Sequence, residues 1–437
     1  MVKVKTTSLK NALEQSLLTG DYSKVSLVTS DNVLKIGSVN YEIYDEKYAH
    51  SDYRNIYENY LSISIDIVEK DSVVETVVLR DDLLNILSSV KSECVSLSMQ
   101  EEKYKYYLII NDGKTNYRLP AQDPDLVKFF VDKRLIQDIE DGIKIKTKNL
   151  IDAIDSVMYA THDGNYFLIL KTIGIIFEDN TIFIAGKSEN LTAVYNLKTR
   201  NSFRSKKYGI VKLNGRGGIT KTAAQTIKKV FGSTKTILFD IVNEGEYKIA
   251  IFKSGNTVLT TKIVKEDVYP NVFDNINSLD DKYTIQAKLP KNDIIDVLKS
   301  IILIETENKK SYLSKEVLAS ILKSEYVDHI DACFFFSNNR LTIKPSIIVK
   351  GKDVNIEYIG NAIEDECIVK LDAINLMRTL NNIHTDEIIM KFSPDDEKHV
   401  YIGSTDNRYS VVMKPKYVKY AKELTKAVWS ENKNAIP

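Results

Sequence analysis

The chain has 437 residues, enough for roughly two to four domains with ample core, and its 60 Lys+Arg against 60 Asp+Glu leave no formal net charge. That balance excludes a protein that coats nucleic acid by bulk positive charge, while local basic faces stay open. Cys94, Cys333 and Cys367 lack C-x-x-C spacing and read as reduced core thiols of a cytoplasmic protein, and no apolar run reaches the ~18 residues of a membrane span.

In chain order, strand Val2–Lys5 leads to an amphipathic helix Ser8–Leu18, with Ser8 as its N-cap. Met1–Leu18 is therefore the start of a folded unit and not a signal peptide. Strands follow at Val25–Thr29, Val33–Val39 and Leu61–Glu69, the last two flanking a Tyr-rich excursion, Tyr41–Tyr60. A second strand–helix–strand comes next: Val77–Leu79, Asp81–Val90 and Cys94–Met99. The hairpin Tyr104–Asn111 and Thr115–Leu119 turns at Asn111–Asp112–Gly113.

Ile143–Met158, IKIKTKNLIDAIDSVM, then restates Val2–Leu17, VKVKTTSLKNALEQSL. Lys3/Lys144, Lys5/Lys146, Thr6/Thr147, Leu9/Leu150 and Ala12/Ala153 are identical. Ile294–Ile302, IIDVLKSII, is a third copy of the helix. The second helix recurs as well: LLNILSSV at Leu83–Val90, AAQTIKKV at Ala223–Val230 and LMRTLNNI at Leu376–Ile383, each followed by a strand. A fixed period settles architecture before chemistry. The expected fold is α+β: three tandem domains at 1–138, 139–281 and 282–416, each a doubled β-α-β unit with helices on one side of curved antiparallel sheets. The third carries an insertion at 305–331 with a helix near Lys315–Lys323, and 417–437 is expected as a basic amphipathic tail helix.

Gly215–Thr222, GRGGITKT, misses the phosphate-binding P-loop because Thr220 stands where a Gly must precede the Lys; a glycine turn opening a helix is the better reading. No carboxylate pair, nucleophile–base pair or metal cluster recurs, and the five histidines lie on unrelated elements, so no enzyme, cofactor or metal is expected. What does recur is cationic. Lys10, Lys91, Lys148, Lys221, Lys228, Lys229, Lys291, Lys299 and Arg378 lie on or beside the repeat helices, and one such helix alone would be a solvated face. In equivalent positions of six modules they point to a surface that attracts phosphates without reading bases. The run Ile301–Ile304 (Ile301, Ile302, Leu303, Ile304) is more apolar than a helix end needs and is expected to help form a dimer interface.

Three stretches carry a resemblance to one family. LIDAIDSVMYA at Leu150–Ala160 is similar to the first middle-domain helix of the bacterial DNA polymerase III beta subunit, the sliding clamp. IFIAGKSENL at Ile182–Leu191 stands where that family ends a strand in Ala-Thr-Asp-Gly-His-Arg-Leu, and YSVVMKP at Tyr409–Pro415 resembles its closing Tyr-Val-Val-Met-Pro. FFFSNNRLTIK at Phe334–Lys344 fits its third-domain hairpin. The loop Gly186–Asn190, the Lys414 that splits Met-Pro and the continuing tail mark a divergent member. Its abundant Lys, Asn and Ile are compatible with an AT-rich, phage or plasmid source.

The resemblance implies a homodimeric ring, each chain forming half, that encircles duplex DNA in the cytoplasm at the replication fork and tethers the polymerase. It implies no catalysis, no cofactor and no membrane. DNA contact would fall to the helix cations, with Lys10, Lys91, Lys148, Lys221, Lys228, Lys229, Lys291 and Arg378 the candidates. Polymerase and clamp loader would insert short peptides into a pocket of Gly186, Ser188, Leu191, Tyr269, Pro270, Val411 and Met413. The competing readings are a clamp-like interaction protein that binds replication partners without encircling DNA, and a monomeric clamp-like decoy that binds polymerase without closing.

Overall fold

The computed structural model describes residues 1–16, 24–44, 55–123, 139, 142–161, 172–178, 181–197, 204–205, 209–210, 215–244, 247–263, 283–309, 330–337, 340–345, 367–394 and 396–420. The chain begins with β1 (Val2–Lys5), α1 (Thr6–Gln15), β2 (Lys24–Ser30), β3 (Val33–Tyr44), β4 (Asn55–Lys70) and β5 (Glu75–Leu79). It continues with α2 (Arg80–Ser89), β6 (Cys94–Glu102), β7 (Lys105–Asn111) and β8 (Asn116–Ala121). Next come β9 (Ile143–Lys146), α3 (Thr147–Met158), β10 (Thr172–Glu178), β11 (Thr181–Lys187) and β12 (Leu191–Leu197). The short β13 (Arg204–Ser205) and β14 (Gly209–Ile210) precede β15 (Gly215–Thr220), α4 (Lys221–Phe231), β16 (Thr236–Glu244), β17 (Tyr247–Ser254) and β18 (Thr257–Ile263). The last third has β19 (Ile285–Pro290), α5 (Lys291–Lys309), β20 (Asp331–Ser337), β21 (Arg340–Pro345), β22 (Cys367–Asp372) and α6 (Ala373–Asn381). It ends with β23 (Glu387–Ser393), β24 (Asp396–Ser404), β25 (Tyr409–Met413) and β26 (Tyr417–Tyr420).

Each described helix starts at the residue after a strand ends, so the first helical N–H groups need acceptors from elsewhere. The first helix of each of the three repeats finds them in the same way. Thr6 N–H donates to the Glu93 carbonyl, Thr147 N–H to Lys235 and Lys291 N–H to Asp386, each carbonyl lying just before the start of β6, β16 or β23. The strands that follow those carbonyls pair antiparallel with the strands that lead into the helices: β1 with β6, β9 with β16, β19 with β23. Three meanders then follow in kind, β6-β7-β8, β16-β17-β18 and β23-β24-β25. For α1 this arrangement replaces the expected Ser8 cap: the helix begins at Thr6, with no side-chain cap, and Thr6 Oγ1 donates to Ser92 O at 2.8 Å. The helix α4 has a side-chain cap, Thr220 accepting from Ala223 N–H, and α6 has both devices: Ala373 N–H donates to the Ile330 carbonyl just before β20, and Asp372 accepts from Asn375 N–H.

Packing divides the chain into two compact units, one of 1–152, 177–180 and 199–269, the other of 153–176, 181–198 and 270–437. The first is built on a 12-stranded antiparallel sheet in which β1 pairs with both β6 and β4, so the run β1-β6-β7-β8-β5-β2-β3-β4 closes on itself. Closure removes the exposed edges that invite aggregation. Leu9, Leu13, Leu83 and Leu87 of α1 and α2 are buried, the helical i, i+4 stripe set against the alternating inward face of the strands. Fully buried Phe231, Phe239 and Phe252 anchor the packing of α4 and its sheet. In the second unit β10-β11-β12-β25-β24-β23-β19 run in that order, and α5 packs on α6. Ile388, Met390, Val400, Ile402, Val411 and Met413 form the inward face.

Several expectations are adjusted. Within the Tyr41–Tyr60 excursion the described residues are strand, β3 and β4 pairing as far as Tyr44 with Asn55, and residues 45–54 lie outside the described residues. Gly215–Thr220 is a strand, not a turn, and Thr220 caps the helix that follows. Tyr417–Tyr420, expected as helix, is β26, antiparallel to β22 with Val418 fully buried; alternation over Tyr-Val-Lys-Tyr prevails there. The insertion helix near Lys315–Lys323, with Leu424 and Trp429 of the tail, lies outside the described residues, whereas α5 continues to Lys309.

Candidate functional site

The helix cations fall into two groups. Lys91, Lys148, Lys228, Lys229 and Lys299 are exposed. Lys10, Lys221, Lys291 and Arg378 are half-buried. Lys228 and Lys229 sit in the last turn of α4, where positive charge complements the helix dipole. Lys221 opens that helix, and burial pulls its ammonium down to about 8. Lys291 Nζ donates to the Ile383 carbonyl at 2.7 Å, which ties the start of α5 to the end of α6. Burial likewise lowers Arg378, with Asp372 and Tyr159 acting in the opposite direction.

Three of the seven expected pocket residues, Leu191, Val411 and Met413, lie where β12 meets β25. Leu191 pairs with Met413 and Ala193 with Val411. The side chains of Val411 and Met413 share the core face of β25, 0% and 2% exposed, and Leu191 is 4% exposed. Gly186 is on β11, and a Cβ there would collide with the Val157 carbonyl, so α3 packs directly on backbone at this point. Tyr269 and Pro270 lie outside the described residues. A cleft of about 400 Å³ opens beside these elements. Ser188 and Leu191 line it, as expected. So do Lys187, Glu189, Asn190 and Thr192, together with His399, Val412 and Lys414. The turn that shapes it is held by Ser188 N–H to Leu191 O and Lys414 N–H to Asn190 O.

Of the expected apolar run, Ile301 and Ile302 are in the core, 0% and 1% exposed, because α5 turns them onto the rest of its unit. Leu303 is 44% exposed, and the side chain of Ile304 lies outside the described residues. Among the described residues no group of three His, Cys, Asp or Glu is placed to hold a metal, and no helix is long and apolar enough to cross a membrane.

No protein-family model and no curated protein matches the chain. Solved structures do. The DNA polymerase sliding clamp of Caulobacter crescentus superposes with a TM-score of 0.67 at 12% identity, covering 95% of this chain and 98% of that one. The clamp of Pseudomonas aeruginosa gives 0.65 at 13% identity over 95% and 99%. The Helicobacter pylori beta clamp, solved with 3,4-difluorobenzamide, gives 0.65 at 17% over the same shares. The fold is that of a DNA polymerase sliding clamp.

Within this clamp fold the cleft residues that sequence reading missed are Lys187, Glu189, Asn190, Thr192, His399, Val412 and Lys414. The alternation of Tyr409–Met413 correctly sets Val411 and Met413 on one face, but alternation says nothing about which face is inward. One signal was present: Ser410 and Lys414 flank Val412 at the alternate positions, and polar neighbours set that face apart from the all-apolar Val411–Met413 face.

Proposed function

We propose that this protein is a sliding clamp, a non-enzymatic processivity factor of three tandem domains that closes as a homodimer around duplex DNA and tethers a polymerase in the cytoplasm. The observation that carries the reading is the clamp fold over 95% of the chain, together with the threefold recurrence of strand, helix and capping carbonyl. A ring holds DNA by topology. Weak, sequence-blind phosphate contacts then favour sliding, and zero net charge with cations spaced along the repeat helices suits that task. Lys91, Lys148, Lys228 and Lys229 are the exposed contacts in this proposal, with Lys10, Lys221, Lys291 and Arg378 nearer the protein. Polymerase and loader peptides dock at the cleft edged by Ser188 and Leu191.

Sedimentation equilibrium combined with retention on DNA tests this. A closed dimer runs near 100 kDa (twice 49.7 kDa), stays on nicked circular DNA and runs off when the circle is linearised. Equal retention on linear and circular DNA, or a monomer that still binds a polymerase, would instead favour a clamp-like interaction protein that does not encircle DNA.

A further inference from the structure

The face of the sheet that borders the cleft carries a row of side chains that the registers place side by side. Lys187 of β11 pairs with Thr192 of β12, Thr192 with Val412 of β25, and Val412 with Tyr401 of β24. His399 lies one alternation further along β24, and Lys414, the residue after β25, lines the same cleft. The cleft therefore borders an apolar cluster, Val412 (5% exposed) packed with Tyr401, Tyr283 and Ile389, with an ammonium across the sheet from Val412 and a second ammonium just past the end of its strand.

Lys187 is half-buried, and among the described residues no carboxylate pairs with it. Burial alone pulls its ammonium down, with no compensating acid. Glu189 is the carboxylate on the cleft rim, and it is exposed at the turn. A partly desolvated cation beside an apolar cluster is complemented by an acid next to an apolar side chain. The spacing also suits an extended chain, whose side chains repeat every second residue, as Val412 and Lys414 do. A nucleic-acid strand fits less well: it offers phosphates at every step, and Glu189 would oppose them.

We propose that the cleft takes an extended acidic peptide, seating an apolar side chain over Val412 and pairing an adjacent carboxylate with Lys187 and Lys414. This deepens the reading of the cleft as the partner-docking site, and rests on it, by assigning the charge of the partner.

The test is fluorescence anisotropy on the full chain with three fluorescein-labelled hexapeptides: Gly-Ser-Asp-Leu-Ser-Gly, its Asn-for-Asp counterpart and its Ser-for-Leu counterpart. At low salt the Asp–Leu probe is expected to bind about fivefold more tightly than Asn–Leu, the size of one favourable charge pair. It should also bind more tightly than the Ser-for-Leu probe, and equal binding of those two overturns the apolar seat over Val412. Lys187→Gln should abolish the Asp preference, Lys414→Gln should reduce it, and Lys391→Gln, on the next strand beyond Tyr401, should leave it intact. Equal binding of Asp–Leu and Asn–Leu overturns the acidic assignment and leaves the docking site standing. No binding of any leucine probe removes the docking site itself. Displacement of the Asp–Leu probe by a single-stranded oligonucleotide of matched charge makes the cleft a phosphate site and overturns the peptide.

Discussion

The hydroxyls of Tyr159 and Tyr409 lie 2.8 Å apart, joining residues 250 positions apart in the chain. Tyr159 also meets Thr379 Oγ1 at 2.8 Å, Tyr409 donates to Ser156 O, and Thr379 donates to Asn375 O. The Tyr409 and Thr379 protons are thus both given to carbonyls, and the single Tyr159 proton serves two acceptors. Tyr409→Phe should therefore cost more than Tyr159→Phe. The first leaves the Ser156 carbonyl buried without its donor, worth about 1–3 kcal/mol, while the second leaves both carbonyls satisfied. Urea unfolding of the two variants measures the difference, and equal losses would show that the relay does not have this polarity.

The same cluster predicts an alkaline transition. Burial raises Tyr159 to about 12, against an ordinary value near 10, so between those limits the folded state keeps a proton that the unfolded state has lost. Stability from this group is complete below about pH 10 and falls as pH rises towards 12. Tyr159→Phe should flatten that part of the stability–pH curve, read by thermal melts from pH 9 to 12.

Lys221 has the opposite sign. Its ammonium, held near 8, is charged at neutral pH and largely neutral by pH 9.5. Its pKa is lower when folded than unfolded, so its contribution to stability rises with pH between about 8 and 10.5. Its contribution to phosphate attraction falls over the lower part of that window. Retention on nicked circular DNA should weaken between pH 7 and 9 in the wild type and less so in Lys221→Arg. Parallel pH curves would remove Lys221 from the DNA surface.

Charge reversal at the exposed pair, Lys228→Glu with Lys229→Glu, should lower retention on circles at all pH values. It should also reduce the log–log salt slope by about 0.9 for each phosphate that is no longer neutralised. Thermal stability should change little, because both side chains are exposed at the end of α4. An unchanged salt slope would place these two lysines away from the DNA.

Leu303 and Ile302 separate interface from core. Leu303→Asp should shift sedimentation from dimer towards monomer with little change in melting temperature, because Leu303 is exposed. Ile302→Asp puts a carboxylate in a site 1% exposed and should destabilise the fold by at least about 3 kcal/mol. A Leu303→Asp dimer of normal affinity would move the interface elsewhere.

The repeat is legible in the sequence because its physical cause is local. Val2–Lys5 and Ile143–Lys146 alternate, and α1 and α3 place Leu9, Ala12 and Leu150, Ala153 at helical spacing. Both periods are properties of the backbone. Strand, helix and antiparallel hairpin therefore follow from nearest-neighbour chemistry, as does the Asn111–Asp112–Gly113 turn, whose Gly113 takes φ +90°. Tertiary structure alone decided which of two chemically possible faces turns inward. At β25 it set Val411 and Met413 in the main core of their unit and Val412 in a smaller apolar cluster with Tyr401 that borders the cleft, because a strand's alternation is symmetric until the rest of the fold packs on it. It likewise placed the Glu93 carbonyl at the start of α1 and Tyr409 beside Tyr159. Such partners lie tens to hundreds of residues apart, and only the closed fold brings them within hydrogen-bond reach.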